Sequence, residues 1–166
     1  TFSNLSSLLK CFEIAKKENT DLIYFVEDDY LHFENSLTDM INTYERVGSQ
    51  TKKDIIICPC DYPFNYMTNE KTNILIGSNQ HWRSVKKILC TFMISKNMLD
   101  KYWDNLKKTC EKRHDPFEKY LNEILLNELG ISPVNTLSVH LTNVNSSYGL
   151  SPFVDIKKLW EENKIV

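Results

Sequence analysis

The stretch Asp21-Leu22-Ile23-Tyr24-Phe25-Val26-Glu27-Asp28-Asp29-Tyr30 restricts what this chain can fold into more than any other. Residues 22–26 are too few for a buried helix and are rich in β-branched and aromatic side chains. They read as a strand covered on both faces, as in the parallel sheet of an α/β protein. The run ends abruptly in Glu27, Asp28 and Asp29. Sheets of this class bind ligands at the carboxyl ends of their strands. Adjacent carboxylates repel one another unless a cation or a hydrogen-bonding ligand meets them. On extended backbone Glu27 and Asp29 point to one face and Asp28 to the other. The plainer alternative is that these acids begin a solvated loop.

Around this strand the apolar spacing alternates between helix and strand. Ser3 or Asn4 caps a helix carrying Leu5, Leu8, Leu9, Phe12 and Ala15. Leu37, Met40, Ile41, Tyr44 and Val47 mark a second helix, stopped by Gly48. A buried-strand pattern at 54–58 breaks at Pro59 and enters an aromatic, polar loop at 61–66. Strands are expected near 74–76 and over 88–94, with a polar loop at 77–84 between them. Ser95 caps a helix carrying Met98, Leu99, Tyr102, Trp103 and Leu106. Asp115-Pro116-Phe117-Glu118 opens another, closed by Gly130. A last strand is expected at 134–140 and a short terminal helix at 155–162.

A length of 166 residues suits one domain over 1–166 with one core. The fold class implied is α/β, a mixed and mostly parallel sheet flanked by helices. A net charge of −2 gives no electrostatic footprint for nucleic acid. No apolar run is long enough for a transmembrane helix. The five cysteines, Cys11, Cys58, Cys60, Cys90 and Cys110, have no framework spacing. They favour a reducing compartment, so a cytoplasmic protein, at most peripheral to a membrane, is expected. One Cys58-Pro59-Cys60 without a second pair is read as buried thiols rather than a zinc hook.

The segment around Asp-Leu-Ile-Tyr-Phe-Val-Glu-Asp-Asp resembles the region of the DxD motif in nucleotide-sugar glycosyltransferases of the GT-A fold, with Glu27 in place of the usual first Asp. In that family a helix and polar turn lead into the strand that ends in the motif. Later come a helix whose start supplies a catalytic acid and a histidine that completes the metal site. Asp115, in Arg113-His114-Asp115-Pro116, and His140 occupy those positions in order. The family also places a nucleotide-binding βαβ unit ahead of the first helix. The resemblance therefore implies the central and C-terminal part of such a domain, lacking part of that unit.

What the resemblance implies is a metal-dependent transfer of a sugar from a nucleotide-sugar donor to a glycan or other acceptor hydroxyl, with inversion. Asp29 and His140 would hold Mn²⁺ or Mg²⁺. Glu27, Asp28, Asp29 and Arg83 would bind the donor, and Asp115 would act as general base. Tyr62, Tyr66 and Trp82 would offer flat faces to sugar rings. Each has a structural alternative. Asp115 is also a helix cap, His140 a half-buried histidine, His81 and Arg83 loop decoration, and the aromatics core packing. His32 and His114 have no supporting ligands nearby in sequence. Two other classes remain open: a sugar- or partner-binding module without turnover, and a metal-dependent phosphoryl-transfer enzyme with Asp54 or Asp61 converging on Asp29.

Overall fold

In the computed structural model, which describes residues 4–142, 144–151 and 154–164, helix α1 (Asn4–Lys17) leads through a polar turn into strand β1 (Leu22–Phe25). Strand β2 (Tyr30–His32) and helix α2 (Ser36–Thr51) follow, then β3 (Ile55–Ile57) and a 3₁₀ turn at Pro63–Tyr66. The hairpin β4 (Ile74–Ile76) and β5 (His81–Val85) precedes β6 (Phe92–Ser95). Helices α3 (Lys96–Lys101), α4 (Trp103–Glu111) and α5 (Lys119–Ile124) come next. Strands β7 (Leu129–Pro133) and β8 (Ser138–His140) and helix α6 (Ile156–Glu162) complete the order. Ser3 as a cap lies outside the described residues. Ser95 caps α3 as its sequence implies, accepting the Met98 amide at 2.9 Å, and Asp155 caps α6.

The chain is α/β, with a six-stranded mixed sheet in the order β1-β6-β3-β7-β5-β4 and a two-stranded ribbon of β2 and β8. Contrary to the sequence expectation, the sheet is mostly antiparallel, and among the described residues only β3 and β7 pair in parallel. Strand β6 is inserted antiparallel between β1 and β3, and the β4–β5 hairpin enters at the far edge. A continuous apolar run reports that both faces of a strand are covered, and says nothing of the direction of its neighbours.

Alternation along the strands sorts the core. Ile55 and Ile57 join Met40, Val47, Trp82 and Ile131 beneath α2. Ile56 points the other way, into a cluster with Phe12, Phe25, Phe92, Leu99 and Leu106 from β1, β6, α1, α3 and α4. Each such side chain stabilises the fold by about 1.5–3 kcal/mol on full burial. Phe12 meets Phe25 edge-on at 4.8 Å, fixing α1 against β1.

Several boundaries differ from expectation: the strand expected over 88–94 is β6 at Phe92–Ser95, and the helix capped by Ser95 breaks at Tyr102 into α3 and α4. Helix α2 runs through Gly48 and stops at Thr51, where Lys52 takes the left-handed conformation (φ 54°). The polar stretch at 77–84 is a tight turn plus β5, whose Trp82 and Arg83 are buried. The helix expected from Asp115 to Gly130 shrinks to α5, and Gly130 lies in β7. There its missing side chain matters for packing, because a Cβ would come within 2.5 Å of Leu125 Cδ2 and 3.2 Å of the Val85 carbonyl. The strand expected at 134–140 is confined to β8, at its end, after a bend at 134–137 that follows β7.

Candidate functional site

The acids after β1 are held by the β2–β8 ribbon. Its register puts Tyr30 opposite His140, and the Asp29 carbonyl accepts the Leu141 amide at 2.8 Å. Residues more than a hundred positions apart in sequence thereby meet. Asp29 Oδ2 lies 3.1 Å from His140 Nε2 and also accepts the Thr142 hydroxyl. Glu27 is anchored by its own amide, which donates to Thr91 Oγ1 at 3.0 Å, just before β6.

His140 is fixed on three sides. Its Nδ1 lies 3.3 Å from the Tyr148 carbonyl. The Tyr30 ring stacks on it at 4.7 Å and 13°, and the Tyr30 hydroxyl bonds to the buried Tyr62 hydroxyl at 2.8 Å. Below, Cys60 Sγ approaches the Ser138 hydroxyl at 3.0 Å. Cys58 and Cys60 are buried, and burial pushes the Cys58 thiol up to about 12. The Cys-Pro-Cys sequence thus packs beneath the ribbon.

A further carboxylate, missed in the sequence reading, acts electrostatically on the same group of residues. Burial raises the Glu118 carboxyl, while its own amide and His140 draw it down. Glu118 in turn raises Glu27 and Tyr148. In the sequence Glu118 looks like the third residue of a helix begun by Asp115. In the structure the segment stays non-helical until Lys119, and Glu118 is half-buried while Asp115 is exposed. Tyr30, Thr142 and Tyr148 were also missed: the ribbon sets Tyr30 against His140 and brings Thr142 to Asp29, and the loop after β8 turns Tyr148 back onto His140.

The remaining candidates do not join this cluster. Asp28 is exposed. Arg83 is buried in an ion pair with Asp61 at 3.6 Å and stacks on the Tyr66 ring at 4.1 Å. Trp82 and Tyr62 are 0% and 2% exposed, so neither offers a face to a sugar. Both are core residues, Trp82 beneath α2 and Tyr62 beneath Tyr30. Tyr66 is exposed, but its ring is occupied by Arg83. His81 is exposed on β5, His32 bonds to the Tyr24 hydroxyl at 2.6 Å, and His114 packs on Tyr120.

Glu27 carries the largest consequence for pH. Burial first, then Asp29, Glu118 and Asp28, push its carboxyl from 4.5 up to about 7, against a smaller pull from His140. The raised value means that the folded chain keeps this proton where the unfolded chain has released it. Its contribution is complete below pH 4.5 and is lost as pH rises toward 7. Glu27 keeps a solvent-exposed side, so the effect is screened to about 1 kcal/mol. Glu27→Gln is therefore expected to melt with wild type at pH 4.5 and above it at pH 8. Thermal melts in EDTA across that range check this.

Among the described residues no group of three or more His, Cys, Asp or Glu is gathered around a common metal position. The pair Asp29–His140 nevertheless has the chemistry of two ligands. Adjacent donors around an octahedral ion at 2.0–2.1 Å stand about 3 Å apart, close to the 3.1 Å found. A ligating histidine also commonly turns its other nitrogen to a carbonyl, as His140 does toward Tyr148. Magnesium-like ions often take only one or two protein carboxylates and complete their shell with substrate phosphates and water.

Neither the protein-family models nor the curated proteins contain a match to this chain. Among the described residues no helix is long and apolar enough to cross a membrane.

Proposed function

We propose that the chain is a metal-dependent glycosyltransferase domain of GT-A type that moves a sugar from a nucleotide-sugar donor to an acceptor hydroxyl. The observation that carries this reading is the meeting of Asp29 and His140 beyond the end of β1, with Glu27 and Glu118 coupled to them electrostatically. Asp29 and His140 would hold Mn²⁺ or Mg²⁺, which when bound supplies positive charge to a departing diphosphate. Thr142 and Tyr148 keep those two side chains oriented. Glu118, half-buried and with a raised proton affinity, accepts the proton of the acceptor hydroxyl as general base. Asp115 yields that role because it faces solvent. Direct attack assisted by one base inverts the sugar centre.

The phosphoryl-transfer alternative needs Asp54 or Asp61 to converge on Asp29. Asp54 instead accepts the Tyr44 and Ser95 hydroxyls, and Asp61 accepts Tyr66 and pairs with Arg83.

The test is a thermal-shift panel of UDP, GDP, CDP and dTDP sugars with Mn²⁺, Mg²⁺ or EDTA. A ligand at a hundred times its Kd stabilises the fold by about 2.7 kcal/mol. One nucleotide is expected to give a metal-dependent shift that Asp29→Ala abolishes. A metal-dependent shift unchanged by Asp29→Ala, or none with any donor, would count against the reading. A shift without measurable transfer would favour the binding module.

A further inference from the structure

The outer edge of the main sheet is unguarded. Among the described residues, strand β4 has β5 on one side and no strand on the other. The hydrogen bonds Gly77 N–H to Gln80 and Ser84 N–H to Asn73 fix the phase of the hairpin. With Ile74 opposite Arg83 and Ile76 opposite His81, these two pairs fall at the non-hydrogen-bonded positions of the ladder. The main-chain N–H and C=O groups of Ile74 and Ile76 therefore point away from β5, to the open edge. Their side chains are also exposed, at 60% and 59%. Natural edges are usually blunted by lysine, proline or a bulge, and Ile-Leu-Ile has none of these.

We infer that β4 is a self-association edge, on which a second copy of this chain pairs antiparallel through its own β4. A two-fold axis at Leu75 sets Ile74 of one copy against Ile76 of the other. Both pairs then fall in hydrogen-bonded positions, so every outward main-chain group of these isoleucines gains a partner. The four isoleucine side chains meet on one face, as a cross-strand cluster. The flanks are compatible, since Asn73 faces Gly77 of the second copy before each chain turns back into β5, so no like charges are opposed. A lipid surface fits less well, because it leaves those main-chain groups without partners. The edge is short, well below the roughly 1,200 Å² of a standard interface, so the dimer is weak and depends on concentration. This inference is independent of the proposed activity.

Sedimentation equilibrium over a concentration series on the metal-free chain, with Ile76→Lys beside wild type, is the test. Wild type is expected to shift from monomer toward dimer as concentration rises, and Ile76→Lys to stay monomeric with an unchanged circular dichroism spectrum. The register is tested separately by Leu75→Cys in a Cys11→Ser background. At the axis the two Leu75 Cα atoms stand about 4.5 Å apart, within disulfide reach. Copper-phenanthroline oxidation should therefore cross-link this variant and not an exposed control, Leu126→Cys. A wild type that remains monomeric at the highest concentration overturns the inference. So does a dimer that survives Ile76→Lys, or one that cross-links equally at both cysteines.

Discussion

Glu118→Gln is expected to lower sugar transfer by about 10²- to 10⁴-fold, the usual range for loss of a general base, while Asp115→Asn leaves the rate nearly unchanged. The two residues compete for one role. Asp115 stands at the sequence position where the family resemblance puts a catalytic acid, yet its carboxylate is in water. Glu118 acts electrostatically on Glu27 and Tyr148 and is itself influenced by His140, and burial raises its proton affinity. A base must combine reach with a suitable affinity for the proton, and reach comes first. Glu118→Gln keeps the shape and removes the charge, so donor affinity should hold while kcat falls. Single-turnover transfer measured beside donor titration separates those effects. The opposite result, with Asp115→Asn inactive and Glu118→Gln active, would return the role to Asp115.

How far the sequence can be read follows from the range of the interactions involved. The strand at Leu22–Phe25, the cap at Ser95, the helical stripes of α1, α2 and α4 and the short helix α6 depend on neighbours within a few residues, and all are legible. Asp29 and His140 could be named as partners only through the family resemblance, because their meeting depends on a pairing between β2 and β8. Two misreadings had local causes. Gly130 carries the sign of a helix stop, but it is a glycine because Leu125 and Val85 crowd a central strand. Glu118 carries the sign of a capping box, but the helix starts after it. Trp82 and Arg83 sit in a stretch so polar that it reads as a loop. Burial of Arg83 becomes reasonable only when Asp61, from a distant turn, is known to face it. Strand direction left no local trace at all.

Arg83→Met is expected to destabilise the fold by about 3–5 kcal/mol, the cost of leaving a buried charge without its partner. Arg83 and Asp61 are buried together, with side chains 9% and 2% exposed. Asp61 accepts the Tyr66 hydroxyl at 2.5 Å and lies 3.4 Å from that of Ser151. Burial still raises its carboxyl, and the Arg83 charge is among the groups that hold it down. With Arg83 replaced, Asp61 must either stay charged and unpaired or take up a proton at neutral pH. In both cases the 61–66 turn loses its attachment to β5, and Tyr66 loses the guanidinium it stacks on. Asp61→Asn in the same chain removes the stranded charge, so the double variant should recover much of the loss. Urea unfolding of the four-member cycle measures the coupling. A donor-binding role for Arg83 predicts a different pattern, in which Arg83→Met weakens nucleotide-sugar binding at nearly unchanged stability and Asp61→Asn compensates nothing.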